Sequence, residues 1–384
     1  MSDVVVVGAS VGGLTVAEAL RGKGFTGRIS LVGDEPRLPY DRPPLSKEVL
    51  TGRWSAEALH LRDSRRLDEL EIDWLLGHRA ERLRLGSRTV ELDGGKALHY
   101  GSLVIATGLV PRRPAGFAGA RTLRTLGNAL RLKQELRTAQ RVAVIGGGVL
   151  GCEVAAAANT LGKQVVLIEP GQVPMAAQLG AELGGHVAAL HESRGVRLTT
   201  GAGAVRLVEG TSHVELTSGE VVEADLAVLA IGSAPATGWL EGSGLHLDDG
   251  VRCDASLRAA DDVHAVGDVA RWSDGTGTTA RLETRTNAAE QALVVAANIL
   301  GGDRRYDPVP YFWSDQYGVR IQVHGAITPD ARIRIVEGNP GEDRFLALAE
   351  QGGVVTAAIG WNHPRGVRAA RRMLRHPELA GGIR

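Results

Sequence analysis

Val4-Val-Val-Val7-Gly8-Ala-Ser-Val-Gly-Gly13 and Val142-Ala-Val-Ile145-Gly146-Gly-Gly-Val-Leu-Gly151 are the two stretches that decide how this chain folds. In each, four apolar residues run into a glycine-rich turn and then into a helix-forming segment, the strand–turn–helix order of a dinucleotide-binding fingerprint. The first glycine allows the tight turn, the second lets the backbone approach a pyrophosphate, and the third lets helix and strand pack closely. The helix N-terminus then offers its positive end to the phosphates. An acid closes the next strand in both cases: Glu35 after Arg28-Ile-Ser-Leu-Val32, and Glu169 after Gln164-Val-Val-Leu-Ile168. A carboxylate there accepts hydrogen bonds from a ribose. Ser10 stands where the second glycine of the first site belongs, with Gly12 beside Gly13 as the compensating feature. Two such sites in one chain imply two nucleotide cofactors with electrons passing between them.

A second repeat supports the first. Leu103-Val-Ile-Ala-Thr-Gly-Leu-Val-Pro111 matches Ala227-Val-Leu-Ala-Ile-Gly-Ser-Ala-Pro235, each an apolar strand ending in glycine with proline three residues on. Repeats of this kind indicate duplicated domains rather than a solenoid. The 384 residues leave room for two or three domains with their own cores. Lys plus Arg and Asp plus Glu both number 44, so net charge offers no sign of a nucleic-acid or membrane partner. The first strand begins almost at once, which leaves no space for a signal peptide, and no apolar run reaches the ~18 residues of a membrane span. Cys152 and Cys253 are the two cysteines and show no CxxC spacing. That argues for a reducing, cytoplasmic setting, and against both a zinc site and a redox-active dithiol.

Between the fingerprints, Pro39-Tyr-Asp-Arg-Pro-Pro-Leu-Ser-Lys47 reads as an ordered loop before a short helix, because consecutive prolines remove donors and fix φ. Residues 113–140 read as a crossover into the second fingerprint. Val266-Gly-Asp-Val269 reads as a short strand ending in Gly-Asp, and 283–300 as a helix stopped by Gly301-Gly302. Beyond Asp307 the period changes to two in Val319-Arg-Ile-Gln-Val and Arg332-Ile-Arg-Ile-Val. Gln351-Gly-Gly353 between apolar runs reads as a hairpin, and 364–376 as a closing helix. The fold class is therefore α/β: two Rossmann-like dinucleotide-binding domains plus a small α+β C-terminal domain.

Taken together, these motifs resemble the FAD-dependent, NADH-linked ferredoxin reductases that feed Rieske-type oxygenases and bacterial cytochromes P450. The matching residues are Gly8-Ala-Ser-Val-Gly-Gly13, Tyr40-Asp-Arg-Pro-Pro-Leu-Ser-Lys47, Ala106-Thr107-Gly108, Gly146-Gly-Gly-Val-Leu-Gly-Cys-Glu153, Val266-Gly-Asp268, Arg281-Leu-Glu283 with Asn287-Ala288 and Gln291, and Pro310-Tyr-Phe-Trp-Ser-Asp-Gln316. The Arg-Pro-Pro-Leu-Ser-Lys and Phe-Trp-Ser-Asp-Gln segments are the most specific. The resemblance implies a glutathione-reductase-like arrangement. An FAD domain (1–112 and 233–305) is split around an inserted NADH domain (113–232), and a C-terminal reductase domain (306–384) covers the flavin.

The resemblance also implies roles. Gly8, Ser10 and Gly13 would meet the FAD pyrophosphate and Glu35 its adenosine ribose. Ala106, Thr107 and Gly108 would line the same cofactor, with Arg42 and Lys47 along it and Lys47 nearest the isoalloxazine. A cation there stabilises negative charge on reduced flavin; the alternative is a solvated loop lysine. Asp268 would accept from the ribityl hydroxyls, or simply cap the next element. Trp313 would pack beside the flavin ring, or serve as core. Gly146, Gly148, Gly151 and Gly232 would cradle NADH, with Glu169 at its ribose. Glu153 would face the nicotinamide amide, or complement the helix dipole in the first turn. Cys152 reads as a packed small hydrophobe. Lys47, Glu153 and Trp313 thus form the candidate catalytic set, with no nucleophile and no metal ligand among them.

What the family does is take hydride from NADH to flavin and pass single electrons to an iron–sulphur ferredoxin. A rubredoxin or small oxidant as acceptor remains open, as does a redox-sensing binding protein without a dedicated acceptor. Ferredoxins are usually acidic, so a local positive surface is expected. The densest basic run is Arg365-Gly-Val-Arg368-Ala-Ala-Arg371-Arg372-Met-Leu-Arg375. Helical spacing would put Arg368, Arg371, Arg372 and Arg375 on one face, with Val367, Ala370 and Leu374 as the apolar stripe. A solvated helix face is the other reading of that run. Glu169 is followed by Pro170-Gly171-Gln172, with no arginine placed for a 2′-phosphate. A clear preference for NADH over NADPH in kcat/KM is therefore expected. Glu169→Ala should narrow it, and an unchanged ratio in that variant would remove the acid from the ribose.

Overall fold

Val4–Val7 is the central strand of a six-stranded sheet and is buried along its whole length. It pairs in parallel with Ile29–Gly33 on one side (Val4 opposite Ile29) and with Ser102–Ile105 on the other (Val4 opposite Ser102). Asp73–Leu76 extends the sheet beyond Ile29–Gly33, while Val263–Ala265 and the antiparallel Arg258–Ala260 extend it at the opposite edge. Continuous burial follows from parallel strands with both faces covered. The fingerprint helix, Val11–Gly22, packs with Arg285–Ile299, a helix whose N-cap Thr284 accepts from the Asn287 N–H at 3.2 Å. The computed structural model describes residues 3–274 and 279–374.

The described residues fall into two units. The first comprises Met1–Asp41, Glu57–Val110 and Ser233–Pro308. The second comprises Arg42–Ala56, Pro111–Gly232 and Val309–Arg384. The proline-rich turn that leads to Lys47 therefore packs with the second fingerprint rather than the first.

Within the second unit, Arg141–Ile145 repeats the design of Val4–Val7. It lies between Gln164–Glu169 and Leu226–Leu229, with Arg197–Thr200 beyond, all parallel. The same unit holds a five-stranded antiparallel sheet in the order Tyr311–Gln316, Val319–Gly325, Val354–Trp361, Arg344–Gln351, Arg332–Asn339. Gln351 pairs with Val354, and Gly352 (φ +58°) and Gly353 (φ +80°) make the intervening two-residue turn. Positive φ at both positions is what a tight hairpin turn of this hand demands. Among the described residues no helix is long and apolar enough to cross a membrane.

Two local readings are corrected. Val266-Gly-Asp-Val269 is not a strand: the strand ends at Ala265, and Gly267–Val269 is a single 3-10 turn entered through Gly267 at φ +77°. The closing helix is α-helical only over Pro364–Ala370 and tightens to 3-10 over Arg371–Leu374. A three-residue period aligns Val367, Ala370 and Met373, and these are the buried residues. Leu374, half-buried, packs against the same cluster, and Arg371 is half-buried while Arg368 and Arg372 are exposed. Arg375 lies outside the described residues.

The glycine turns are dictated by the protein's own backbone. A Cβ on Gly8 (φ +123°) would lie 2.1 Å from the Ala106 carbonyl oxygen, and one on Gly13 would lie 2.0 Å from the Gly8 oxygen. The second fingerprint repeats both clashes: Gly146 (φ +102°) against Ala230 O at 2.4 Å, and Gly151 against Gly146 O at 1.8 Å. Gly8→Ala should cost on the order of 1–3 kcal/mol by overpacking and sharply reduce the flavin retained on purification. Gly22→Ala, where nothing lies within 4 Å, should do neither. Flavin-to-protein absorbance ratios and denaturant titrations of both variants check this.

Candidate functional site

In the first unit, the Gly8 turn delivers the chain to Ser10, the N-cap of Val11–Gly22, in an extended conformation (φ −130°). Its side chain makes no capping hydrogen bond, and the first turn of the helix carries no acid. The positive helix end is left to an anionic ligand rather than neutralised locally. Glu35 is held by Tyr40, whose hydroxyl donates to its two carboxylate oxygens at 2.9 and 2.7 Å. Tyr40 stands in the matched motif, but nothing in the sequence indicated that it orients the acid. Thr107 Oγ1 donates to Ala236 O at 2.9 Å, and Gly108 takes φ +67°.

Asp268 sits half-buried in the Gly267–Val269 turn. Two residues brace that turn. The Gly267 N–H donates to the buried Gln291 Oε1 at 2.7 Å. Arg281 donates to Asp268 O at 3.1 Å and is itself fixed by Asp249 Oδ1 at 3.2 Å and Glu283 Oε1 at 2.5 Å. Arg281, Glu283 and Gln291 were visible as matched residues, and their bracing function emerges only from the fold.

In the second unit, Gly148 is the N-cap of Val149–Thr160, whose first turn also lacks an acid. A Cβ built on Gly148 would meet nothing within 4 Å. This glycine is therefore not demanded by the protein's own packing, and its bare Cα leaves the helix end open to a ligand. Glu169 closes over the turn: its Oε2 accepts from the Gly147 N–H at 2.7 Å and its Oε1 from the Gly171 N–H at 2.8 Å. Gly232 takes φ +93°, and its carbonyl accepts from the Arg112 N–H at 3.1 Å. These cradles fit dinucleotide cofactors at both fingerprints.

The same unit brings Lys47 and Glu153 together. Lys47 follows the 3-10 turn Pro43–Ser46 and is only 8% exposed; Glu153, on Val149–Thr160, is 5% exposed. Lys47 Nζ lies 2.8 Å from Glu153 Oε2. Ser46 Oγ donates to the same oxygen at 2.5 Å, and Ser314 Oγ donates to Oε1 at 2.9 Å. Lys47 is not a solvated loop lysine. Nor does Glu153 complement the first turn, because the helix begins at Val149 and the residue falls in its second turn.

Arg42 is tethered to the same unit through Nη1 to Arg124 O at 2.7 Å. Trp313, half-buried, stacks on Tyr311 with ring centroids 5.8 Å apart and 21° between planes. Strand alternation sends Trp313 to the opposite face of Tyr311–Gln316 from Ser314, which reaches Glu153.

Both cysteines are free and buried. Burial first, then the neighbouring Glu153 and Glu169 charges, push the Cys152 thiol well above its ordinary range. Burial and Asp254 push Cys253 up to about 12. Neither has the lowered pKa of a reactive thiol. Among the described residues no group of three or more His, Cys, Asp or Glu is placed to hold a metal ion.

Comparison with known proteins identifies the family. Residues 2–292 match the family of pyridine nucleotide-disulphide oxidoreductases, and residues 311–379 match the reductase C-terminal family. Rhodocoxin reductase of Rhodococcus erythropolis is 36% identical over 97% of this chain and 89% of its own length. The ferredoxin–NAD(+) reductase component of the anthranilate 1,2-dioxygenase system of Burkholderia cepacia is 36% identical over 96% of this chain and 93% of its own. The crystal structure of the covalent putidaredoxin reductase–putidaredoxin complex superposes with a TM-score of 0.92 at 32% identity, covering 97% of this chain and 93% of that one.

Removing one partner of a buried ion pair leaves the other charge uncompensated. Lys47→Met or Glu153→Leu alone should each destabilise the second unit by about 3–5 kcal/mol. The double variant should lose much less than the sum. Additive losses in chemical denaturation would show that the two groups do not act as a pair.

Proposed function

Because the chain belongs to the pyridine nucleotide-disulphide oxidoreductase family and carries its reductase C-terminal domain, we propose that it is the FAD-dependent ferredoxin–NAD(+) reductase of an oxygenase system. It oxidises NADH and delivers electrons one at a time to an iron–sulphur ferredoxin that supplies a cytochrome P450 or Rieske oxygenase. The observation that carries this reading is the pairing of two complete dinucleotide cradles with a chain whose only thiols are buried and inert. FAD, when bound, supplies the means of accepting a hydride and releasing single electrons. The protein contributes binding, orientation and electrostatics.

Gly8, Ser10 and Gly13 hold the FAD pyrophosphate at the helix end, and Glu35, oriented by Tyr40, takes the adenosine ribose. Ala106, Thr107, Gly108, Arg42 and Asp268 line the rest of that cofactor. Gly146, Gly148, Gly151 and Gly232 hold NADH, with Glu169 at its ribose. Lys47 provides the positive charge that favours reduced flavin, and Glu153 both fixes Lys47 and faces the nicotinamide amide. Trp313 flanks the flavin. A site that excludes water strengthens each of these electrostatic contacts. The inert thiols and the relatives' working partners support a cytoplasmic setting.

The partner surface is read from charge. Arg365, Arg368 and Arg372 are exposed on the C-terminal turn, and none of them forms an ion pair among the described residues. Steering by exposed charge acts on association rate and weakens with salt. NADH-driven ferredoxin reduction should therefore fall steeply with ionic strength while NADH-to-ferricyanide turnover changes little. Charge reversal at Arg368 and Arg372 together should slow the first assay and spare the second. An equal response of both assays would take the turn out of docking, and a failure of any ferredoxin to accept electrons would overturn the functional reading.

A further inference from the structure

Behind Glu153 the polar contacts continue. Ser314 Oγ, which donates to Glu153 Oε1 at 2.9 Å, accepts from Gln316 Nε2 at 3.0 Å. Gln316 Nε2 also lies 3.4 Å from Met175 Sδ, and Gln316 Oε1 lies 2.8 Å from His191 Nε2. Ser314, Gln316 and His191 are all fully buried (0–1% exposed). Three elements meet here: the helix Val149–Thr160, the strand Tyr311–Gln316, and the helix Ala176–Ser193 with its N-cap Met175.

The chemistry of these atoms gives the chain one direction. A thioether only accepts, so the Gln316 amide must present its NH2 to Met175 and Ser314 and its carbonyl oxygen to His191. His191 then has to donate from Nε2. Burial pushes the His191 pKa below its ordinary value, with the Gln316 contact opposing it, and the contact with Gln316 Oε1 places a proton at Nε2. Its Nδ1 is buried without a partner. Because Gln316 donates to the Ser314 oxygen, the Ser314 proton is left for Glu153. Along the run His191–Gln316–Ser314 each bond donates toward the carboxylate, with the Gln316–Met175 contact as a side branch, and aligned hydrogen bonds reinforce one another.

Met175 ties this chain to the second fingerprint. It takes a left-handed conformation (φ +55°), and its N–H donates to the Gly147 carbonyl at 2.8 Å. One residue thus fixes both the glycine turn and the Gln316 amide.

We propose that Gln316 is a positioning residue for the Lys47–Glu153 pair, acting through Ser314, with His191 as the last donor behind it. The chain commits Glu153 Oε1 to Ser314 and so reserves Oε2 for Lys47 and Ser46. That fixes where the Lys47 charge stands. The proposal builds on the reading that Lys47 serves the flavin.

The test uses the FAD-loaded full-length chain and the variants Ser314→Ala, Ser314→Thr, Gln316→Glu and Lys47→Met. Gln316→Glu keeps the shape and, as the carboxylate, can only accept, so in that form it draws the Ser314 proton away from Glu153. Three quantities are read: the flavin midpoint potential, the rate of flavin reduction at saturating NADH with the Kd for NADH, and the His191 tautomer by two-bond 1H–15N correlation. Ser314→Ala and Gln316→Glu should slow reduction about tenfold, as loss of one hydrogen bond to a charged group implies. The Kd for NADH should be unchanged, and the potential should move in the direction that Lys47→Met moves it, by less. Ser314→Thr, which keeps the hydroxyl, should recover most of the loss. His191 should be the Nε2–H tautomer.

A wild-type potential and rate in both Ser314→Ala and Gln316→Glu, beside a shifted Lys47→Met, would overturn the proposal; so would an Nδ1–H tautomer. If Lys47→Met itself leaves the potential unmoved, the placement of Lys47 at the flavin is what fails. The chain then stands or falls on the tautomer.

Discussion

Taking the Lys47 ammonium and the Glu153 carboxylate out of water costs several kcal/mol per ion unless geometry and hydrogen bonding offset it. Here the two meet at 2.8 Å and the carboxylate accepts from three donors, Lys47, Ser46 and Ser314. Much of the second unit is organised around that requirement. The Pro43–Ser46 turn presents Ser46 and Lys47, the fingerprint helix presents Glu153, and the first strand of the antiparallel sheet presents Ser314. A buried pair of this kind is weak as a source of stability and strong as a means of fixing a charge in one place.

The two glycine turns impose the other constraint. In both, the first and third glycines are excluded from bearing a Cβ by nearby carbonyl oxygens, Ala106 O and Gly8 O in one, Ala230 O and Gly146 O in the other. The middle position differs in kind. Ser10 and Gly148 are both N-caps with room for a ligand at the helix end, so a serine is tolerated at one where a glycine stands at the other. The two turns thus share the packing constraint and differ at the position that carries none.

The features legible in the sequence were those with local chemistry. Strand, turn and acid lie within some thirty residues of one another in each fingerprint, and the Gln351-Gly-Gly353 hairpin is encoded by its own turn. Lys47 and Glu153 are 106 positions apart, and no periodicity links them. Each residue could be given a role separately, but their pairing needed the fold. Gln316 was visible as part of a matched motif, whereas His191 drew no attention, since a histidine late in an amphipathic helix reads as surface or core. Of the expected four-arginine face, Arg368 and Arg372 are exposed and Arg371 is half-buried where the helix tightens to 3-10 and the 3.6-residue spacing ends, while Arg375 lies outside the described residues.

On the proposed function, one chain collects a pair of electrons from NADH and releases them singly to an iron–sulphur partner. Anaerobic titration of the FAD-loaded protein with NADH, followed by mixing with an oxidised ferredoxin, tests it most directly. The account predicts that one equivalent of NADH bleaches the flavin of one chain, and that the reduced protein then reduces two equivalents of ferredoxin. Flavin that stays oxidised in excess NADH, or reduced flavin that passes no electrons to any ferredoxin, would contradict it.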